Sequence, residues 1–137
     1  MSTYTQCRDA IVALLHGDIA VDYPTLPVFW ENTVAVDLDK VGDKFVRIEL
    51  EFDDAEQLTV NGSPWHRTYG TVYFTLMVKD GTGTRSVLEL YEYFTNLVKF
   101  KGATHYQFEV VRPGKRDARD GWRSYELCAP FWFDVMQ

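Results

Sequence analysis

The sequence predicts an α+β fold, in which a single mixed or mostly antiparallel sheet carries two helices packed on one face. Two segments repeat apolar residues at three- and four-residue steps, as amphipathic helices do, and four segments alternate apolar with polar residues, as half-buried strands do. The predicted order is helix, short strand, two long strands, helix and two strands. This order contains no regular strand–helix alternation of the kind that builds a parallel sheet.

The first helix is predicted from Thr3 to His16. Thr3 and Gln6 have the spacing of a capping box, in which the two side chains satisfy free backbone donors at the start of a helix. Gly17 is the expected stop, because glycine accepts the left-handed conformation that ends many helices. The apolar stripe consists of Cys7, Ala10, Ile11, Leu14 and Leu15.

A short strand and an antiparallel pair are predicted next. Two prolines after the first helix exclude further helix, and Val28–Glu31 is expected to form a short edge strand. Phe45–Phe52 and Arg67–Val78 alternate apolar and polar residues on either side of a loop, Asp53–Pro64, that contains the turn residues Asn61–Pro64. Two such strands flanking one loop indicate an antiparallel pair.

The second helix is predicted to begin near Thr84 or Ser86 and to end at Gly102, with Ser86 and Glu89 as another possible capping box. Its buried side consists of Val87, Leu90, Tyr91, Phe94, Leu97 and Val98. The preceding segment, Gly81–Ser86, resembles a phosphate-binding loop in its glycines, but it lacks a third glycine and a lysine that could reach a phosphate. We therefore expect a plain strand-to-helix turn there.

The last two strands are predicted over Ala103–Val111 and Trp122–Phe133, separated by the loop Arg112–Gly121. Pro130 removes a backbone donor from the final strand, which predicts an edge position or a bulge. The predicted core combines apolar faces of the strands with the second helix: Val46, Ile48, Leu50, Val72, Phe74, Leu76, Tyr91, Phe94 and Phe108.

Length and charge limit the function classes. The 137 residues are enough for one domain, 1–137, and the 15% aromatic content exceeds what a core alone needs. A net charge of −6 disfavours a general nucleic-acid binder and an anionic membrane surface. No apolar run is long enough to span a bilayer, and no signal peptide is expected. The two cysteines, Cys7 and Cys128, are expected to be free thiols.

The sequence contains no recognisable set of catalytic or metal-binding residues. The histidines His16, His66 and His105 have no partner at metal-ligand spacing. Cys7 lies on an apolar helix face and Ser63 lies in a turn without an elbow motif, so neither is expected to be a nucleophile. We expect no cofactor, no metal and no catalytic residues, and hence a protein that is not an enzyme.

Two segments of opposite charge are the candidate contact residues. The Arg112–Gly121 loop contains the bases Arg112, Lys115, Arg116 and Arg119, and the loop after the first long strand contains the acids Asp53, Asp54 and Glu56. Solvated loop surfaces would account for both. Opposite charges on one small domain also permit head-to-tail contacts between copies, which can close into a ring.

Five segments together resemble the tail-terminator-like minor tail proteins of long-tailed bacteriophages and prophages: Thr3–Ile11, Tyr23–Asn32, Phe45–Ile48, Gly81–Arg85 and Pro130–Asp134. The resemblance covers nearly the whole chain in the order of its elements, and its motifs are structural. It implies a small α+β subunit of a ring, commonly a hexamer, that ends tail-tube polymerisation. The implied partners are further copies of the chain, the tail-tube protein and a head-completion or connector protein. The implied locations are the virion tail and, during assembly, the bacterial cytoplasm.

A different class of function stays open at this point. A small α+β domain could instead bind a ligand or catalyse a reaction in a cleft beside the sheet, near Trp65 and His66. A generic adaptor that acts through its aromatic surface is a third possibility.

Overall fold

A computed structural model of the chain describes residues 2–31, 40–57 and 65–136. Its elements are α1 (Tyr4–Asp22), β1 (Val28–Trp30), β2 (Lys44–Gln57), β3 (Trp65–Lys79), α2 (Arg85–Val98), β4 (Gly102–Ala103), β5 (Tyr106–Phe108), β6 (Arg112–Arg119) and β7 (Trp122–Met136). The strands form one sheet in the order β1-β2-β3-β7-β5-β4, and β6 also pairs with β7. No helix in the described part of the chain is long and apolar enough to cross a bilayer.

The predicted fold class is confirmed. The pair β1–β2 is parallel and all other strand pairs are antiparallel, so the sheet is mixed. Both helices bury their apolar stripes in one core cluster with the same face of the sheet. That cluster includes Val46, Ile48, Val72, Phe74, Leu76, Phe94 and Phe108 from the predicted core. Leu50 and Tyr91 are half-buried and pack against it.

The start of α1 is as predicted, but its end is not. The backbone N–H of Gln6 donates to Thr3 Oγ1 at 3.1 Å, and the backbone N–H of Thr3 donates to Gln6 Oε1 at 3.0 Å. Gly17 does not stop the helix, which continues to Asp22. Ile19, two residues beyond the predicted stop, is buried in the core, so packing prolongs the helix past the glycine.

The predicted start of α2 near Thr84 is confirmed, but its predicted capping box and its predicted end at Gly102 are wrong. Thr84 is the N-cap residue without a capping side-chain bond, and Glu89 accepts from Arg85 Nε at 3.1 Å instead of completing a capping box with Ser86. The helix ends at Val98, and Gly102 opens the strand β4. The buried residues of α2 are Val87, Leu90, Phe94 and Val98.

The segment predicted as one strand, Ala103–Val111, is broken. Tyr106 and Phe108 are buried in β5, but a turn separates them from β4, and Val110 is 49% exposed. Pro130 lies in an interior strand, so the expected edge position was wrong. It lies where the partner of β7 changes from β5 to β6, and there three residues, 109–111, oppose two of β7. This bulge accommodates the missing donor of Pro130.

Candidate functional site

The basic segment is a strand, which corrects the predicted loop Arg112–Gly121. β6 pairs antiparallel with β7 from Arg112↔Cys128 to Arg119↔Trp122, and only Asp120 and Gly121 form the turn. Both turn residues have positive φ, 53° and 82°. Such a two-residue turn matches the twist of the flanking strands and favours the Asp-Gly dipeptide. That dipeptide, followed by an alternating segment, was the sequence signal for this hairpin.

The four bases of β6 are free to meet a partner. Every residue of β6 is exposed. Among residues 2–31, 40–57 and 65–136, none forms an ion pair with Arg112, Lys115, Arg116 or Arg119. A bulge between Pro113 and Arg116 shifts the register, and Arg116 borders the groove beside α2. The basic charge is therefore spread along an exposed strand rather than held in internal pairs.

The acidic segment also belongs to a strand. Asp53, Asp54 and Glu56 lie in the second half of β2, which continues to Gln57 instead of ending at Phe52; the expected turn Asn61–Pro64 lies outside the described residues. A bulge between Phe52 and Asp54 separates the first half of β2 from this acidic half. All three acids are exposed.

The orientation of these acids is set by short polar contacts. Thr71 Oγ1 donates to Asp53 Oδ2 at 2.8 Å, and the Tyr69 hydroxyl donates to Glu56 Oε2 at 3.0 Å. The bond to Glu56 is the main cause of a raised pKa at Tyr69, because it stabilises the protonated phenol. The acids are thus partly held in place by β3, yet they keep carboxylate oxygens exposed to solvent.

Within one chain, the two segments do not meet. β3 and β7 lie between β2 and β6 in the sheet. Across the sheet, Arg112 of β6 is level with Cys128, Tyr73 and Glu49, whereas Asp54 is level with Tyr69 and Trp132. The basic and acidic segments therefore occupy diagonally opposite corners of the sheet, a position in which each can face a different neighbouring copy.

A charged and aromatic cluster on the open face of the sheet was not predicted. Arg67 and Asp134 form a two-point ion pair, with Nε–Oδ1 at 2.9 Å and a second N–O distance of 3.2 Å, and the guanidinium lies 3.7 Å over the Trp132 ring. The hydrogen bond to Asp134 raises the pKa of Arg67. Cross-strand pairing of residues far apart in the chain creates this cluster, which the sequence could not indicate without the register.

Of the two residues near which the alternative cleft was predicted, Trp65 and His66, only Trp65 borders a cavity. A cavity of about 240 Å³ is bordered by Ser2, Trp65, Gln107 and Asp134, but not by His66. Ligand pockets are typically about 300–1,000 Å³. Ser2 Oγ lies 2.7 Å from His105 Nδ1, and within the described part of the chain no carboxylate hydrogen-bonds to that histidine. The described residues also contain no group of three or more potential metal ligands.

A larger apolar groove lies between α2 and the β6–β7 hairpin. It has a volume of about 580 Å³ and is bordered by Tyr91, Val111, Pro113 and Leu127, with Leu88 at its rim exposed by 53%. Tyr91 donates from its hydroxyl to the Glu126 carbonyl at 3.1 Å, which ties the helix to β7 below the groove.

Comparisons with known proteins support the fold but do not identify a family or a function. A scan against protein-family models finds no match, and a search of curated proteins also finds none. A solved structure of an uncharacterised protein superposes with a TM-score of 0.68 at 16% sequence identity, covering 96% of this chain and 96% of the other. At this identity the likeness establishes a shared fold over almost the full length.

Proposed function

We propose that the protein is a structural subunit of a phage or prophage tail, a terminator or completion protein whose ring ends tail-tube polymerisation and joins tail to head. In this proposal the chain is not an enzyme. Its partners are further copies of itself, closed as a hexamer in the manner of the family it resembles, the tail-tube protein and a head-completion or connector protein.

The observation that carries the proposal is the placement of the two charged segments. Arg112, Lys115, Arg116 and Arg119 lie on one exposed strand, and Asp53, Asp54 and Glu56 lie at the diagonally opposite corner of the same sheet. A ring needs two different surfaces that complement each other, since each copy meets one neighbour with each surface. Opposite charges favour correct encounter and suppress contacts between identical surfaces.

The sequence resemblance is the reason for assigning this self-association to a phage tail. The five segments that resemble the tail-terminator-like proteins are spread from α1 to β7, so the resemblance extends over the whole domain. A ligand-binding or enzymatic role near Trp65 and His66 is less well supported, because the cavity there is small and His66 does not border it.

Charge reversal on β6 tests the proposal. We expect the combined variant Lys115→Glu, Arg116→Glu, Arg119→Glu to fold normally but to assemble poorly, because like charges then face each other at every contact. Electron microscopy of tails produced in the host should show overlong or headless tails. A second reversal of Asp53, Asp54 and Glu56 to Lys in the same chain should partly restore tail length.

A matched control reverses three exposed bases on or next to the helices, Arg8, Arg85 and Lys99, which changes the net charge by the same amount. These residues are exposed and lie on or next to α1 and α2, away from both charged segments. Normal tails with this control and abnormal tails with the β6 variant fit the proposal. Normal tails joined to heads with the β6 variant would refute it.

A further inference from the structure

We propose that the apolar groove between α2 and the β6–β7 hairpin receives the Tyr4 side chain of a second copy of the chain. This inference rests on the proposed ring and names the apolar part of its contact. The charged segments select and align the neighbouring copy, and the tyrosine anchors it.

Tyr4 has the features of an interface anchor. It is the first residue of α1, and it is 49% exposed. Its ring packs edge-to-face on Phe52, with the centroids 4.8 Å apart, and on Phe133, with the centroids 5.4 Å apart. The capping box of Thr3 and Gln6 fixes the first helical turn. A tyrosine that is already held in place loses little conformational freedom on binding, and tyrosine is common among the residues that dominate binding energy.

The chemistry of the groove matches a tyrosine side chain. Its volume of about 580 Å³ is typical of a binding pocket. Tyr91 and Leu127 supply apolar lining, and Thr95 and Asn96 supply polar groups on the α2 side. A tyrosine ring can bury its carbon atoms on the apolar lining while its hydroxyl bonds to a polar group at the wall. The exposed rim residue Leu88 would also lose contact with water when the groove is filled.

The groove and several bases of β6 lie on opposite faces of the hairpin. Residues directly opposite each other in paired strands point to the same face. Pro113 is opposite Leu127, which belongs to the core beneath the helices, so Pro113 points to the helix side. Arg112 is opposite Cys128, the next residue along β7, and therefore points to the open face. Lys115 borders a cavity on that open face together with Cys128.

Tyr4 and the acidic segment show the same division at the other corner of the sheet. Tyr4 lies on the helix side, where it packs on the core residue Phe133. Thr71 points to the open face, because its neighbour Val72 is buried in the core. Asp53 accepts a hydrogen bond from Thr71 and so lies on the open face as well.

Head-to-tail contact therefore brings both pairs of surfaces together when the two sheets present the same face to the same side. Acids and bases meet on the open face, and Tyr4 meets the groove on the helix side. A contact between two grooves would place two basic segments side by side, and a contact between two Tyr4 surfaces would do the same with two acidic segments. Both are disfavoured by repulsion, so charge selects the contact of different surfaces that a ring requires.

Photocross-linking from position 4 tests the contact. The variant Tyr4→p-benzoylphenylalanine keeps an aromatic ring on Phe52 and adds a photoreactive ketone at its outer end. The purified full chain is irradiated at high protein concentration and low ionic strength, and the linked peptides of the covalent dimer are identified by mass spectrometry. We expect position 4 of one copy to be linked to residues 88–96 or 111–116 of the other, and high salt should reduce the yield of dimer.

A groove variant with a matched control shows whether the cross-link depends on the groove. Adding Leu88→Glu should lower the yield of dimer about fivefold or more, because a charge at the rim opposes burial of the ring. Val21→Glu makes a comparable change at a side chain that is 79% exposed near the end of α1, and it should leave the yield unchanged.

The absence of a dimer, cross-links outside the groove, or equal losses with Leu88→Glu and Val21→Glu would overturn the Tyr4 contact. If the β6 charge-reversal variant nevertheless produced abnormal tails, the ring proposal would stand and only this contact would fail. Cross-links in the groove together with normal tails for the β6 variant would support the contact and refute the tail proposal.

Discussion

β6 and β7 are the two strands of one hairpin, yet they differ in almost every respect except their shared ladder. Every residue of β6 is exposed, whereas β7 buries Trp122, Leu127, Ala129, Phe131 and Phe133. β7 pairs with β3 along its entire length and contributes to the core beneath the helices. Among the described strands, β6 pairs only with β7.

The difference separates two roles of a strand. β7 stabilises the domain through apolar burial, for which about 25 cal/mol per Å² is a typical scale. β6 has almost no burial to contribute, so its side chains are free to be selected for contacts with another molecule. We therefore expect substitutions in the central strands to reduce the free energy of unfolding, and substitutions in β6 to affect association.

The largest loss of stability is expected for Phe74→Ala in β3. Phe74 is fully buried and stacks on Phe94 with ring centroids 4.7 Å apart, so truncation should cost about 3–5 kcal/mol. Leu50→Ala should cost roughly 2 kcal/mol, since Leu50 is only half-buried. Urea denaturation measures both, and Leu88→Ala on the exposed side of α2 serves as the matched leucine control. Losses below about 0.5 kcal/mol at both core sites would show that the strand faces are assigned incorrectly.

The effect of a glycine-to-alanine substitution on stability can be compared between the core and the edge of the sheet, at Gly70 in β3 and Gly114 in β6. A Cβ at Gly70 would lie 2.5 Å from Phe131 Cζ and 2.6 Å from the Glu51 carbonyl oxygen, so Gly70→Ala should cost about 1–3 kcal/mol. A Cβ at Gly114 would meet mainly the side chain of Glu126, which is flexible and can move. Gly114→Ala should therefore cost less than about 1 kcal/mol. Equal losses in thermal unfolding would contradict the distinction between the two regions.

The raised pKa of the buried Cys7 thiol predicts that the stability of the domain depends on pH. Burial raises the pKa of Cys7 from 9.0 to about 12, and it also raises the pKa of the half-buried Cys128. Because folded Cys7 retains its proton where the unfolded thiol loses it, stability should fall as pH rises from about 9 towards 12. This one group contributes at most about 1.4 kcal/mol per pH unit. Cys7→Ala should flatten this fall in unfolding measurements, and an unchanged slope would exclude Cys7 as its source.

The smallest effect on stability is expected for the β6 charge reversal at Lys115, Arg116 and Arg119. These side chains make no described ion pair, so the free energy of unfolding should change by less than about 0.5 kcal/mol. Circular dichroism during thermal unfolding measures it. A large loss would mean that β6 supports the domain itself, and an assembly defect of this variant would then not identify a contact surface.

Alternation predicted the buried strands but not the exposed strand segments. The first half of β2, β3 from Thr71 onward and much of β7 alternate in side-chain character because one face packs on helices, and this pattern indicated the sheet. The three- and four-residue apolar spacing indicated both helices. The second half of β2 and the whole of β6 are held by backbone pairing to β3 and β7, which leaves no pattern in the side chains. The acids and bases were therefore recognised as candidate contact residues but assigned to loops.

The most direct test of the central claim, that two oppositely charged edges join copies head to tail, combines two variants in one host. One variant has Lys115, Arg116 and Arg119 changed to Glu, so both edges are acidic. The other has Asp53, Asp54 and Glu56 changed to Lys, so both edges are basic. Each alone should give overlong or headless tails, and co-expression should restore tails of normal length, because copies of the two kinds can alternate around the ring. Normal tails with either variant alone, or no restoration by co-expression of two folded variants, would contradict the claim.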